Sequence, residues 1–217
     1  MIVALERMQR ELEAIYGLQL PLRVSDFLLP AGPRPGGGGG ASEALLISQE
    51  GEELSLGLYL EPALLARLAL HDPDDPLPSM ITEGLPDFTT VLEGVSHFVY
   101  LAWRALRDEE VSLLELEIQA EIDKFVASLL HLWRRGQKGA SAALRERLFE
   151  RVRFRESLSE GESDRYRTAN DLARGYCRLL EARFLAEGSP EGLLREVRRL
   201  YRLGGAQKRA HLRRSRA

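Results

Sequence analysis

Two apolar stripes at helical spacing, separated by a short charged link, constrain this chain more than any other feature. Val91, Val95, Phe98, Ala102 and Leu106 recur every third or fourth residue, and Leu114, Ile118, Ile122, Phe125, Leu129 and Trp133 do the same further on. That period belongs to helices that bury one side. It predicts one helix from roughly Asp87 to Arg107 and a second from Ser112 to about Arg135, where Ser112 and Glu115 have the spacing of a capping box. The connection, built on Asp108-Glu109-Glu110, is short, so the two should be antiparallel neighbours.

The rest of the chain extends this helical pattern. Val3, Leu5, Met8, Leu12 and Ile15 predict a first helix that ends at Gly17, and Leu22 to Leu29 has the make-up of a strand between Pro21 and Pro30. A glycine-rich stretch at 31–41 reads as a flexible loop. It lacks the Lys-Ser/Thr pair that a phosphate cradle needs. Ala44 to Ser48 and Leu54 to Leu60 flank Glu50-Gly51-Glu52, and the second run alternates in polarity as a strand of a half-buried hairpin does. A short helix from Pro62 to Leu70 precedes an Asp/Pro-rich loop, His71 to Pro78. Further helices are expected from about Ser141 to Phe154, from Asp164 to Ala186 after a polar loop at Ser157 to Ser163, and from Ser189-Pro190 to Gly204-Gly205. The expected architecture is therefore α+β and predominantly α-helical. A small N-terminal β-hairpin/α portion at 1–78 packs on a bundle of about five helices at 79–204, and a basic tail follows at 205–217.

Composition narrows the class. With 217 residues, 44% of them hydrophobic, the chain can bury a core without staples. The single cysteine, Cys177, excludes an intramolecular disulfide and a thiolate zinc cluster built from this chain. That suits a reducing compartment. No apolar run approaches the roughly 18 residues that span a bilayer, and the charged N-terminal stretch lacks the pattern of a secretion signal. A cytoplasmic protein without a membrane partner is expected.

One constellation has chemical potential. On the first long helix, Glu93, His97, Tyr100 and Arg104 line the side opposite the apolar stripe; on the second, Glu117, Glu121, Lys124, Ser128 and His131 form a separate polar stripe. Reflection about the connecting turn sets His97 level with Glu121. If the stripes face each other, Glu93, His97, Glu117 and Glu121 converge. One imidazole with carboxylates suits manganese, iron or zinc, and such an ion activates water. Without metal, His97 with Glu93 and Glu121 would make a general base. The competing expectation is an ordinary solvated helix face or a structural polar seam between the helices.

Other signals are weaker. Arg198, Arg199, Arg202, Lys208, Arg209, Arg213 and Arg214 make the C-terminal region basic, and could contact nucleic-acid phosphates without reading sequence. Arg165 and Arg167 lie near an expected helix start, where an anion could bind. Cys177 has no adjacent His-containing motif to activate it. With no catalytic motif in view, the leading expectation is an accessory or binding protein acting through a protein partner or its own copies. A helical His/Glu enzyme and a nucleic-acid-associated protein are the alternatives.

Overall fold

The computed structural model describes residues 2–32, 42–51, 53–70, 84–150, 158–185 and 189–215. The expected α+β, predominantly helical class is what it shows. Eight α-helices and one two-stranded antiparallel sheet are present among the described residues. The glycine-rich stretch, the Asp/Pro-rich loop and the expected helix end at Phe154 lie outside the described residues, at least in part.

Helix α1 (Ile2–Tyr16) buries Leu5, Met8, Leu12 and Ile15 of its expected stripe, and leaves Val3 exposed. The stretch expected as a strand at Leu22 to Leu29 instead makes a 3-10 turn at Val24–Phe27, with only Leu28 bridged to Leu58. Helix α1 takes over the hydrogen bonds that a sheet would have supplied. Gln9 Oε1 accepts from the Val24 N–H at 2.7 Å, and Gln9 Nε2 donates to the Leu22 carbonyl at 2.7 Å.

Strands β1 (Glu43–Glu50) and β2 (Glu53–Leu60) pair from Glu43 opposite Leu60 to Glu50 opposite Glu53. The end of the hairpin near Glu43 and Leu60 packs on the bundle, and its turn end is exposed. Helix α2 (Pro62–Leu68) follows.

The two long helices are α3 (Leu85–Ala105) and α4 (Leu113–Arg134), the second opened by the expected Ser112/Glu115 capping box. Their connection, 106–112, is longer than the charged triplet suggested, and it turns at Asp108 with φ 55°. Helix α5 (Ser141–Arg145) continues into a π turn, Glu146–Glu150. Helix α6 (Glu160–Leu180) begins earlier than expected, because Ser159 and Glu162 form a second capping box inside the stretch read as a loop. Helix α7 (Pro190–Tyr201) starts at the expected Ser189 cap and Pro190.

The expected basic tail is also different. Gly205–Arg214 forms helix α8, which packs back onto the bundle with Lys208 and Leu212 fully buried. Phe98, Phe125, Tyr176, Leu193 and Leu212 contribute to one continuous core. No helix among the described residues is long and apolar enough to cross a membrane.

Candidate metal centre

The polar stripe of α3 is not a solvated face. His97 is 8% exposed, Arg104 4% and Tyr100 fully buried. On α4, Glu117 and Lys124 are buried to a similar degree. The reason is packing on three sides: α4 lies along α3, the hairpin covers α3 through β1, and α6 packs on α4.

Glu93, His97 and Glu117 each present a ligand atom within 4.8 Å of the others. His97 Nε2 faces Glu117 Oε2 at 3.7 Å. That is too long for a hydrogen bond, and Nε2 is sealed from solvent without any hydrogen-bond partner. Two ligands of a tetrahedral ion, each about 2.1 Å from it, stand about 3.4 Å apart. The gap is therefore of the size that an ion fills. The register differs from simple reflection by one helical turn. His97 meets Glu117, and Glu121 instead receives Lys124 Nζ at 2.7 Å, while the same ammonium reaches Glu93 Oε2 at 3.2 Å.

Three further residues border the site. Glu43, the first residue of β1, places Oε1 3.6 Å from His97 Nδ1. Arg165 of α6 places Nε 3.7 Å from Glu117 Oε1, with its guanidinium 5.4 Å from the Tyr166 ring centre. Arg165 therefore sits in the second turn of α6, beside the carboxylates, and not at a helix start where an anion would bind; Arg167 is exposed.

Electrostatics follow from burial. Burial alone would push the His97 imidazole down, but the Glu117 and Glu43 carboxylates outweigh it and hold His97 well above its ordinary value. Burial raises the Glu43 and Glu121 carboxyls, opposed by His97 and by Lys124 respectively. Burial would also lower Lys124, yet Glu121 and Glu93 hold its ammonium charged. Burial, then Glu117 and Glu93, push the Tyr166 phenol up to about 12. With all four ionised, Glu43, Glu93, Glu117 and Glu121 outnumber Lys124, Arg165 and the charged His97 by one, a slight acidic excess that favours a cation.

The C-terminal cations go elsewhere. Arg198 donates to the Ile15 and Ala14 carbonyls at 2.8 and 2.9 Å, and Arg202 to the Tyr16 carbonyl at 3.0 Å, closing the end of α1. Lys208 is buried against Tyr100 and Gln119, each at 2.8 Å. These three are committed to the fold. Arg199, Arg213 and Arg214 are exposed and Arg209 partly so. Cys177 is fully buried, and burial pushes its thiol well up, away from the reactive thiolate.

No family model matches the chain, and no curated protein or solved structure does either.

Proposed function

We propose that this chain is a metal-dependent enzyme. A divalent transition metal is held between α3 and α4 by Glu93, His97 and Glu117, and it activates water for hydrolysis. The observation that carries this reading is the sealed His97 Nε2, without a hydrogen-bond partner and facing Glu117 across 3.7 Å. A buried imidazole nitrogen is normally satisfied. One left open beside two carboxylates, Glu93 and Glu117, has the donor set of manganese, iron or zinc.

The residues fit such an ion. Glu93, His97 and Glu117 supply three ligands and leave a position open for water, as catalytic sites do. When bound, the ion would lower the pKa of that water. Lys124 holds Glu93 and Glu121 in place. Its charge limits carboxylate repulsion before the ion arrives.

Elemental analysis of chelator-free protein, followed by titration with zinc and manganese, tests the reading. Near-stoichiometric uptake that vanishes in His97→Ala is expected. Since its neighbours hold His97 in the charged form, ion uptake displaces a proton, and affinity should rise with pH. An unloaded wild type that takes up neither metal overturns the proposal.

The accessory reading has one supporting observation. Leu106 and Leu113, more than half exposed, flank the α3–α4 connection and offer a small apolar contact. Concentration-dependent self-association lost in Leu106→Glu would support it.

A further inference from the structure

We infer that Glu43, carried on the first strand, is the positioning residue of the metal centre: it holds the Nδ1 side of His97 so that Nε2 faces the ion. This rests on the metal reading above, and it assigns the hairpin a part in a site whose proposed ligands are all helical.

A neutral imidazole has one N–H and one lone pair. A ring that binds metal through one nitrogen almost always gives its other N–H to a carboxylate, carbonyl or water, which fixes ring orientation and tautomer. In this chain a carboxylate stands at each nitrogen, Glu117 at Nε2 and Glu43 at Nδ1. Glu117 belongs to the triangle with Glu93; Glu43 is not one of its three members. The two carboxylates therefore divide the ring, one on the ion's side and one behind it.

Two costs in the fold converge on Glu43. The first is its burial. Its side chain is 9% exposed and Oε1 accepts no hydrogen bond. Ladder position 43 faces Leu60, and nothing in the strand pairing calls for a carboxylate. The second is Gly94, in the interior of α3, where glycine costs about 1 kcal/mol relative to alanine. A Cβ at Gly94 would lie 2.8 Å from Glu43 Cγ, 2.9 Å from Glu43 Oε1 and 2.7 Å from Leu58 Cδ1. The bare backbone at Gly94 admits the hairpin and its carboxylate next to His97. Both costs have one explanation if Glu43 serves the imidazole.

The test uses the full chain and zinc as the probe, measured by competition with a chromophoric chelator. Glu43→Ala should weaken zinc binding about 10- to 100-fold while metal-free thermal unfolding stays near wild type. Glu43→Gln keeps an acceptor oxygen at the same reach and should recover at least half of that loss on a logarithmic scale. Gly94→Ala should weaken zinc as Glu43→Ala does, and the double variant should be no weaker than either. In the zinc-loaded wild type, ring-nitrogen NMR shifts should show metal at Nε2 and a proton at Nδ1. Equal zinc affinity in wild type and Glu43→Ala overturns this inference alone, as does a Gln variant no better than Ala. A wild type that binds no zinc and no manganese overturns the metal reading and this inference with it.

Discussion

Two buried polar clusters sit side by side on the same helix pair, and they are built in opposite ways. Ser96 and His97 are neighbours on α3, yet they face different company. Ser96 Oγ donates to Asp123 Oδ2 at 2.6 Å; Asp123 also accepts from the Tyr16 hydroxyl and from Gln119 Nε2 at 2.8 Å. Gln119 in turn accepts from Lys208, whose ammonium lies 4.0 Å from the Tyr100 ring centre. Here α1, α3, α4 and α8 meet through donors and acceptors that match. Around His97 they do not match: the imidazole faces carboxylates at 3.6 and 3.7 Å, beyond hydrogen-bond reach. A satisfied network fixes a fold. An unsatisfied one at the same depth costs stability, and its retention argues for a ligand. On the metal reading proposed above, the contrast separates a structural half of the α3–α4 seam from a chemical half.

The largest expected effect breaks the satisfied half. Asp123→Ala leaves Tyr16 and Ser96 without their acceptor, takes one of two acceptors from Gln119 Nε2, and leaves Lys208 with Glu115 as its nearby carboxylate. It should lower stability by about 3–5 kcal/mol, the scale for removing one member of a buried polar pair. Urea unfolding measures it. A loss below about 1 kcal/mol would mean that the network is not what joins α1 and α8 to the core.

The next effect separates the halves. Zinc at a hundred times its dissociation constant should stabilise wild type by about 2.7 kcal/mol. It should leave His97→Ala unmoved. Asp123→Asn, destabilised but folded, should keep the full zinc response. If Asp123→Asn also loses it, the two clusters act as one unit and the contrast is wrong.

How far the sequence announced this depends on sequence distance. The α3–α4 pair and the meeting of Glu93, His97 and Glu117 were readable because helical period and a short connection are local signals. Glu121 is displaced by one turn from the expected place, because reflection about a connection sets the level of residues along the helices and not which side chains meet across the seam. Glu43 was invisible in advance: it lies 54 positions before His97, and only docking of the hairpin brings it near. Gly94 was the available clue, a small residue mid-helix with something close above it. Lys208 looked like one more cation in a basic stretch. Nothing local distinguishes it from Arg209, yet Gly205, where a Cβ would strike the Glu115 carboxylate, lets α8 approach closely enough to bury it. The Ser159/Glu162 box has a readable spacing, but the polar residues around it have the make-up of a loop.

A smaller effect sharpens the satisfied half by pH. Burial pushes Lys208 down to about 7, against the pull of Glu115 and Asp123, while burial raises Asp123 to about 6. A lysine depressed in the folded state stabilises most at high pH. As pH falls toward about 7 the unfolded chain takes up a proton that folded Lys208 refuses, so stability declines by at most about 1.4 kcal/mol per pH unit, and the decline ends once folded Lys208 protonates as well. Between about pH 7 and about pH 9, below the range where unfolded tyrosines titrate, wild-type stability should therefore rise with pH and that of Lys208→Met should rise less. Equal slopes would mean that the ammonium stays charged in the fold.

The smallest effect asks whether a missing hydrogen bond is by itself a sign of function. Ser128 is fully buried on the stripe of α4 that carries Glu117, Glu121 and Lys124, and its hydroxyl has no hydrogen-bond partner. By that count it resembles His97 Nε2. Its chemistry is different, because a lone hydroxyl cannot anchor an ion and can be removed almost isosterically. Ser128→Ala removes an unsatisfied group and gains helix propensity, so it should raise stability by about 0.5–1 kcal/mol. It should leave zinc affinity unchanged. Such a result would mark Ser128 as a tolerated defect and show that what singles out His97 is its carboxylate company. Loss of zinc binding in Ser128→Ala would instead mean that packing about three turns beyond Glu117 shapes the site, and Ser128 would not be a tolerated defect.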